Sequence, residues 1–178
     1  MAAPLAVPIT RTAQLADESR PTNTESVAAI LTRCKTSLIA GWLTRAKTAP
    51  ELNHLHLSDD QRTGHLSKLV DDIVARLASS DLTNKDSDAA ASSAAVEHGK
   101  LRQTQSYTSG MLIYESRILQ VTIFGTLHKN LSLLDFNLLL PDVMTIADEV
   151  DSQLTQTMDS FTDAASKSAK AHLVKQKG

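Results

Sequence analysis

Residues 94–120 read AAVEHGKLRQTQSYTSGMLIYESRILQ, and they place ionisable side chains where a helical core should be apolar. At 3.6 residues per turn, Ala91, Ala94, Ala95, His98, Arg102 and Gln105 share one helical face. In the following segment Met111, Leu112, Glu115, Ile118, Leu119 and Thr122 share another. A lone carboxylate in such a stripe would be protonated or strongly destabilising, so Glu115 needs a donor. Arg102 and His98 are the nearest candidates across a short connection, and the stretch predicts a polar cluster of His98, Arg102 and Glu115 inside a helical bundle.

The same residues carry a resemblance. His98, Gly99, Arg102, Gln105 and Tyr107 form an H-G-x-x-R-x-x-Q-x-Y string, followed by Leu112, Glu115 and Arg117 in an apolar run. This pattern resembles the N-terminal sensor domain of RsbRD-type RsbT co-antagonist proteins, which precedes STAS domains in stressosome components and stands before some histidine kinases. The likeness extends more loosely from the helix holding Trp42 to about Phe161. It implies an all-helical, usually dimeric input domain that passes a signal through its last helix to a STAS-type or kinase-type partner. No strand-rich segment for a STAS domain is present, and His172 lacks the setting of a kinase phosphoacceptor. The expectation is therefore either a sensor cut from a longer protein or a stand-alone member that binds a partner.

Outward from that stretch, the chain reads as one domain. Its 178 residues and 42% apolar content suffice for a single core. A formal charge of −2 gives no electrostatic case for nucleic acid or an anionic membrane, and 3% aromatic residues leave few platforms for stacking bases. Cys34 is the only cysteine, which excludes an intrachain disulfide and fits a reducing cytoplasm. The N-terminus is a poor signal peptide and no apolar run is long enough to span a membrane, so the expectation is a cytoplasmic protein.

The expected fold is all-α: an antiparallel bundle of four main helices with a shorter or kinked element and a long C-terminal helix. Residues 1–23, with Pro4, Pro8 and Pro21, read as a flexible arm, 24–165 as the bundle and 166–178 as a basic tail or helix extension. Asn23 or Thr24 is expected to cap a first helix, with Val27, Leu31, Cys34, Leu38 and Trp42 on its inner face, ended by Pro50. Trp42 reads as a core anchor. Ser58 and Gln61 form a capping box for a second helix with Leu66, Leu69, Val70, Ile73, Val74 and Leu77 inward. An alanine-rich third helix from about Asp86 contains Gly99, whose cost inside a helix points to close contact there. Thr108 caps the next helix, in which Gly125 suggests a close crossing, and Pro141 suits the first turn of the final one.

Positions 141–163 hold six acidic residues and no Lys or Arg, whereas 166–178 hold four Lys and no acid, which matches the helix dipole. Ala147, Val150, Leu154 and Phe161 recur at near-heptad spacing and form a candidate dimer or output stripe.

His54 and His56, with His65 nearby, lack convergent Cys or carboxylate residues and read as solvated rather than as metal ligands. No nucleophile elbow, P-loop, dinucleotide fingerprint or HExxH motif occurs. His98, Arg102, Gln105, Tyr107 and Glu115 are thus the candidate buried polar or ligand cluster, with no metal, no cofactor and no catalytic residue assigned. The functional expectation is a non-catalytic sensory or regulatory domain. The alternatives are a stand-alone bundle binding a small ligand, or an enzyme using His98, Arg102 and Glu115.

Overall fold

The computed structural model describes residues 24–79 and 92–175. The expected N-terminal arm lies outside the described residues. Helices α1 (Val27–Thr48), α2 (Asp59–Thr63), α3 (Leu66–Ser79), α4 (Ser93–Thr104), α5 (Ser109–Lys129) and α6 (Phe136–Lys175) follow one another, with a 3-10 turn at Leu131–Leu133. Among the described residues there is no strand, only an isolated bridge between Glu25 and Leu134. The fold is all-α with a long C-terminal helix, as the periodicity predicts.

Direction follows from the cross-helix contacts. Lys47 reaches Asp59 of α2 and Lys35 reaches Asp71 of α3, so the chain from α2 into α3 runs back along α1. Trp42 meets Glu115 and Arg33 meets Asn130, so α5 also opposes α1. Helix α6 packs most extensively on α4, and the two run the same way, Ala95 meeting Thr157 and Val96 meeting Ser160. Val27, Ile30, Leu31, Leu38 and Trp42 from α1 meet Leu69, Val70 and Ile73 from α3 and Leu112, Leu119 and Ile123 from α5 in one core. Trp42, 1% exposed, is the anchor expected of it.

Several boundaries differ from the sequence reading. The cap of α1 is Ser26, whose hydroxyl accepts from the Ala29 amide, because Glu25 is drawn into extended pairing by donating its amide to the Leu133 carbonyl. The capping box at Ser58 and Gln61 is present in both directions. The helix it starts, however, ends at Thr63 and resumes at Leu66 after a turn at Gly64–His65. Helix α4 starts at Ser93, with the Ser92 hydroxyl accepting from the Ala95 amide, and the expected start near Asp86 lies outside the described residues. Thr108 caps α5 as expected. Asp135 caps α6 by accepting from the Asn137 amide, so the leucine-rich stretch before Pro141 is already helical and the proline lies inside the helix rather than in its first turn. That early part of α6 leaves Phe136, Leu138, Leu140 and Met144 exposed, which removes the amphipathic period that would have marked it as helical. The helix continues to Lys175, so the basic segment extends it.

The two internal glycines also separate. A Cβ on Gly99 would lie 2.2 Å from the Thr157 carbonyl oxygen, so glycine is what lets α4 and α6 touch backbone to backbone. A Cβ on Gly125 would meet nothing within 4 Å, and the close crossing expected there does not occur.

Candidate functional site

The turn between α4 and α5 folds Arg102 and Glu115 against each other. Ser106 adopts a left-handed φ of 60°, which reverses the chain and turns Tyr107 inward. Arg102 is fully buried. Its Nε donates to Glu115 Oε2 at 3.0 Å, and Nη2 sits 2.9 Å from Glu115 Oε1. The remaining hydrogens go to Gln105 Oε1 at 2.6 Å and to the carbonyls of Gln61 at 3.0 Å and Arg62 at 2.8 Å. Thus each of the five guanidinium hydrogens has an acceptor. The guanidinium carbon also stands 4.7 Å from the Tyr107 ring centre.

Glu115 is equally saturated. Oε1 accepts from Tyr107 OH at 2.7 Å as well as from Arg102, and Oε2 lies 3.3 Å from His98 Nε2. Trp42 Nε1 donates to the Glu115 backbone carbonyl. The structure therefore brings together all five residues of the expected cluster: His98, Arg102, Gln105, Tyr107 and Glu115.

Two participants escaped the sequence reading. His65 is buried, not solvated, and its ring stacks on His98 with centres 3.7 Å apart. Arg62 is buried as well, donating to the carbonyls of Leu52 and Leu55. Its position in a capping-box helix reads as surface because the break at Gly64–His65 is not encoded by hydrophobic period. A glycine followed by histidine, just after the start of a helix, is the only local signal. His54 and His56 are exposed, as expected.

Burial and charge fix the protonation states. Burial lowers His65 well below its ordinary range, reinforced by the charges of His98 and Arg102. Burial also lowers His98, against the opposing pull of Glu115. For Glu115, burial favours the neutral acid, but the His98 hydrogen bond and the Arg102 charge together outweigh it and the carboxyl lies below its usual value. Tyr107 is pushed well up, first by burial and then by Glu115.

The shifts of His65, His98 and Glu115 share one sign for stability. The unfolded chain binds protons on its histidines below 6.5 while the folded chain holds His65 and His98 neutral. Stability is therefore full above that value and lost as pH falls below it, and Glu115 extends the loss below 4.5. Glu149, raised by burial, offsets part of it. Urea unfolding is expected to weaken by up to about 1.4 kcal/mol per pH unit for each histidine below its ordinary value. A stability that stayed flat between neutral pH and pH 5 would contradict this assignment of neutral rings.

The ligand-capable atoms of His65, His98 and Glu115 lie within 4.8 Å of one another, the spacing of a metal shell. The donor chemistry does not suit a cation. All four acceptor positions of the Glu115 carboxylate are engaged, and Arg102 Nη2 stands 3.5 Å from His65 Nε2. A metal here would have to displace Arg102 from Glu115 and leave a buried cation beside a buried guanidinium.

Of the candidate stripe Ala147, Val150, Leu154 and Phe161, Val150 is buried and the other three are half-buried. Val150 is 3% exposed, Phe161 packs against the core and Leu154 lines a cavity. The inward row of α6 is instead Ile146, Glu149, Val150, Gln153, Thr157 and Ser160. Small hydroxyl side chains let α4 approach that row, the Thr157 and Ser160 hydroxyls donating to the Ala95 and Val96 carbonyls. No helix among the described residues is long and apolar enough to cross a membrane.

Comparison of the chain with protein families, curated proteins and solved structures gives no match.

Proposed function

We propose that the chain is a non-catalytic sensory or regulatory domain of the RsbRD N-terminal type, acting in the cytoplasm through a homodimer or a STAS-type or kinase-type partner. The observation that carries this reading is the double role of α4. One turn of α4 supplies His98 and Arg102 to the buried network, and between them Gly99 presses its backbone onto α6. A change in the hydrogen bonding of the network thus meets the output helix within a few ångströms. The exposed Phe136, Leu138, Leu140 and Met144 at the start of α6 add support for a protein partner.

Catalysis is the weaker reading on two grounds. Arg102 and Glu115 have no free donor or acceptor left for a substrate. The adjoining cavity measures about 30 Å³, whereas substrate-sized pockets run to roughly 300–1,000 Å³.

Hydrogen exchange read by mass spectrometry tests the proposal with Glu115→Gln and Tyr107→Phe, which keep shape while rearranging the network. Altered protection is expected in α6 around Gln153–Phe161 as well as in α4 and α5. If both variants change α4 and α5 while α6 exchanges as in the wild type, the network does not signal through the last helix and the reading fails.

A further inference from the structure

Among the described residues, three buried side-chain polar atoms lack a hydrogen-bond partner: His65 Nδ1, His98 Nδ1 and Gln153 Oε1. All three belong to residues that line the same cavity, of about 30 Å³. Buried polar atoms are rarely left unpaired, so three of them on residues that share one cavity point to an occupant.

Their hydrogen-bonding roles follow from their other bonds. Ionised Glu115 only accepts, so the His98 hydrogen lies on Nε2 and His98 Nδ1 presents a lone pair. Arg102 only donates, so His65 turns a lone pair towards it from Nε2 and carries its hydrogen on Nδ1. Burial keeps both rings neutral, consistent with one hydrogen each. Gln153 commits its amide hydrogens to Leu69 and Glu149, leaving Oε1 to accept. The wall thus offers one donor and two acceptors.

A matching ligand carries two donor hydrogens and at least one lone pair. It is neutral, since Arg102 would repel a cation and Glu115 an anion. A single water needs roughly 10–15 Å³ of such space, so the cavity holds about two non-hydrogen atoms.

We propose that this cavity is a binding site for a neutral two-heavy-atom molecule with a hydrogen donor at each end, the chemistry shared by hydrogen peroxide and hydroxylamine. The ligand donates to His98 Nδ1 and Gln153 Oε1 and accepts from His65 Nδ1. Water fills the space in its absence. The site deepens the sensory reading and rests on it, because the ligand ties the turn before α3 and helix α4 to α6 through Gln153. Binding is reversible and forms no covalent bond.

The test is NMR of the histidine ring nitrogens in the full chain carrying Cys34→Ser, titrated separately with hydroxylamine and with hydrogen peroxide at neutral pH. Expected are an Nε2–H tautomer for His98, an Nδ1–H tautomer for His65 and a saturable shift of both Nδ1 signals. Either probe binding alone supports the site and tells which source it prefers. Methanol, with a donor at one end only, should bind at least about tenfold more weakly, as should either probe to Gln153→Leu, each having lost one hydrogen bond. The opposite tautomers, no saturable shift with either probe, or equal binding of methanol would overturn the proposal. Binding without any change in α6 exchange would leave the site standing and remove the sensory reading instead. Altered α6 exchange in Glu115→Gln with no probe binding would do the reverse.

Discussion

Arg102→Met is expected to lower the unfolding free energy by about 3–5 kcal/mol, the usual consequence of removing one partner from a buried ion pair. The loss arises because Glu115, 4% exposed, would keep a charge that nothing nearby neutralises. The carbonyls of Gln61 and Arg62 and the Gln105 amide oxygen would lose their donor in the same step. The pH dependence identifies the carboxylate's share. Without Arg102, burial raises Glu115 above its unfolded value, so the variant regains stability as pH falls through that raised value, and the gap to the wild type narrows. Urea titrations of both proteins across pH 4.5–7.5 measure this directly. The double variant Arg102→Met/Glu115→Met should recover part of the loss, since apolar replacement of a whole buried pair is often tolerated. A double variant as unstable as the single would place the cost on the stranded carbonyls rather than on the carboxylate.

Gly99→Ala and Gly125→Ala should move stability in opposite directions although the chemical change is identical. At Gly99 the new methyl would stand 2.2 Å from the Thr157 carbonyl oxygen and 3.0 Å from the Phe161 amide nitrogen, both backbone atoms with no rotamer to yield. Helices α4 and α6 would have to separate, breaking the hydroxyl bonds from Thr157 and Ser160. Overpacking of this kind costs about 1–3 kcal/mol, more than the roughly 1 kcal/mol that alanine returns in helix propensity. At Gly125 only the propensity gain applies, and thermal unfolding should shift upward. If Gly99→Ala proved neutral, the backbone contact between α4 and α6 would not be tight in solution.

The bundle was legible because its signals are local. Heptad-like spacing in α3, the capping box at Ser58 and the cap at Thr108 each report on a few consecutive residues, and each appears in the structure. The polar cluster was legible for a related reason: His98, Arg102 and Glu115 interrupt apolar faces on helices joined by a short turn. His65 and Arg62 were not, because only the Gly64–His65 pair hints that the helix breaks there and no hydrophobic period encodes it. The break is stabilised by Arg102, donated from a distant segment. The inward row of α6 was not legible because packing against α4 selects Thr157 and Ser160, small hydroxyl residues that satisfy its carbonyls and carry no hydrophobic signal. Pro141 misled for the opposite reason, since the exposed Leu138 and Leu140 before it give no helical period.

The reach of Arg102 also imposes an order of assembly. The carbonyls it holds lie 41 and 40 residues earlier in the chain, so the bend between α2 and α3 depends on closing a long loop. Helices α1 and α3 precede α4 in the chain and can pair without it, but the Gln61–His65 bend acquires its last bonding partners only once α4 has docked. In a chain emerging from the ribosome, the corner where Arg62 and His65 turn inward cannot be fully bonded until Arg102 has been made.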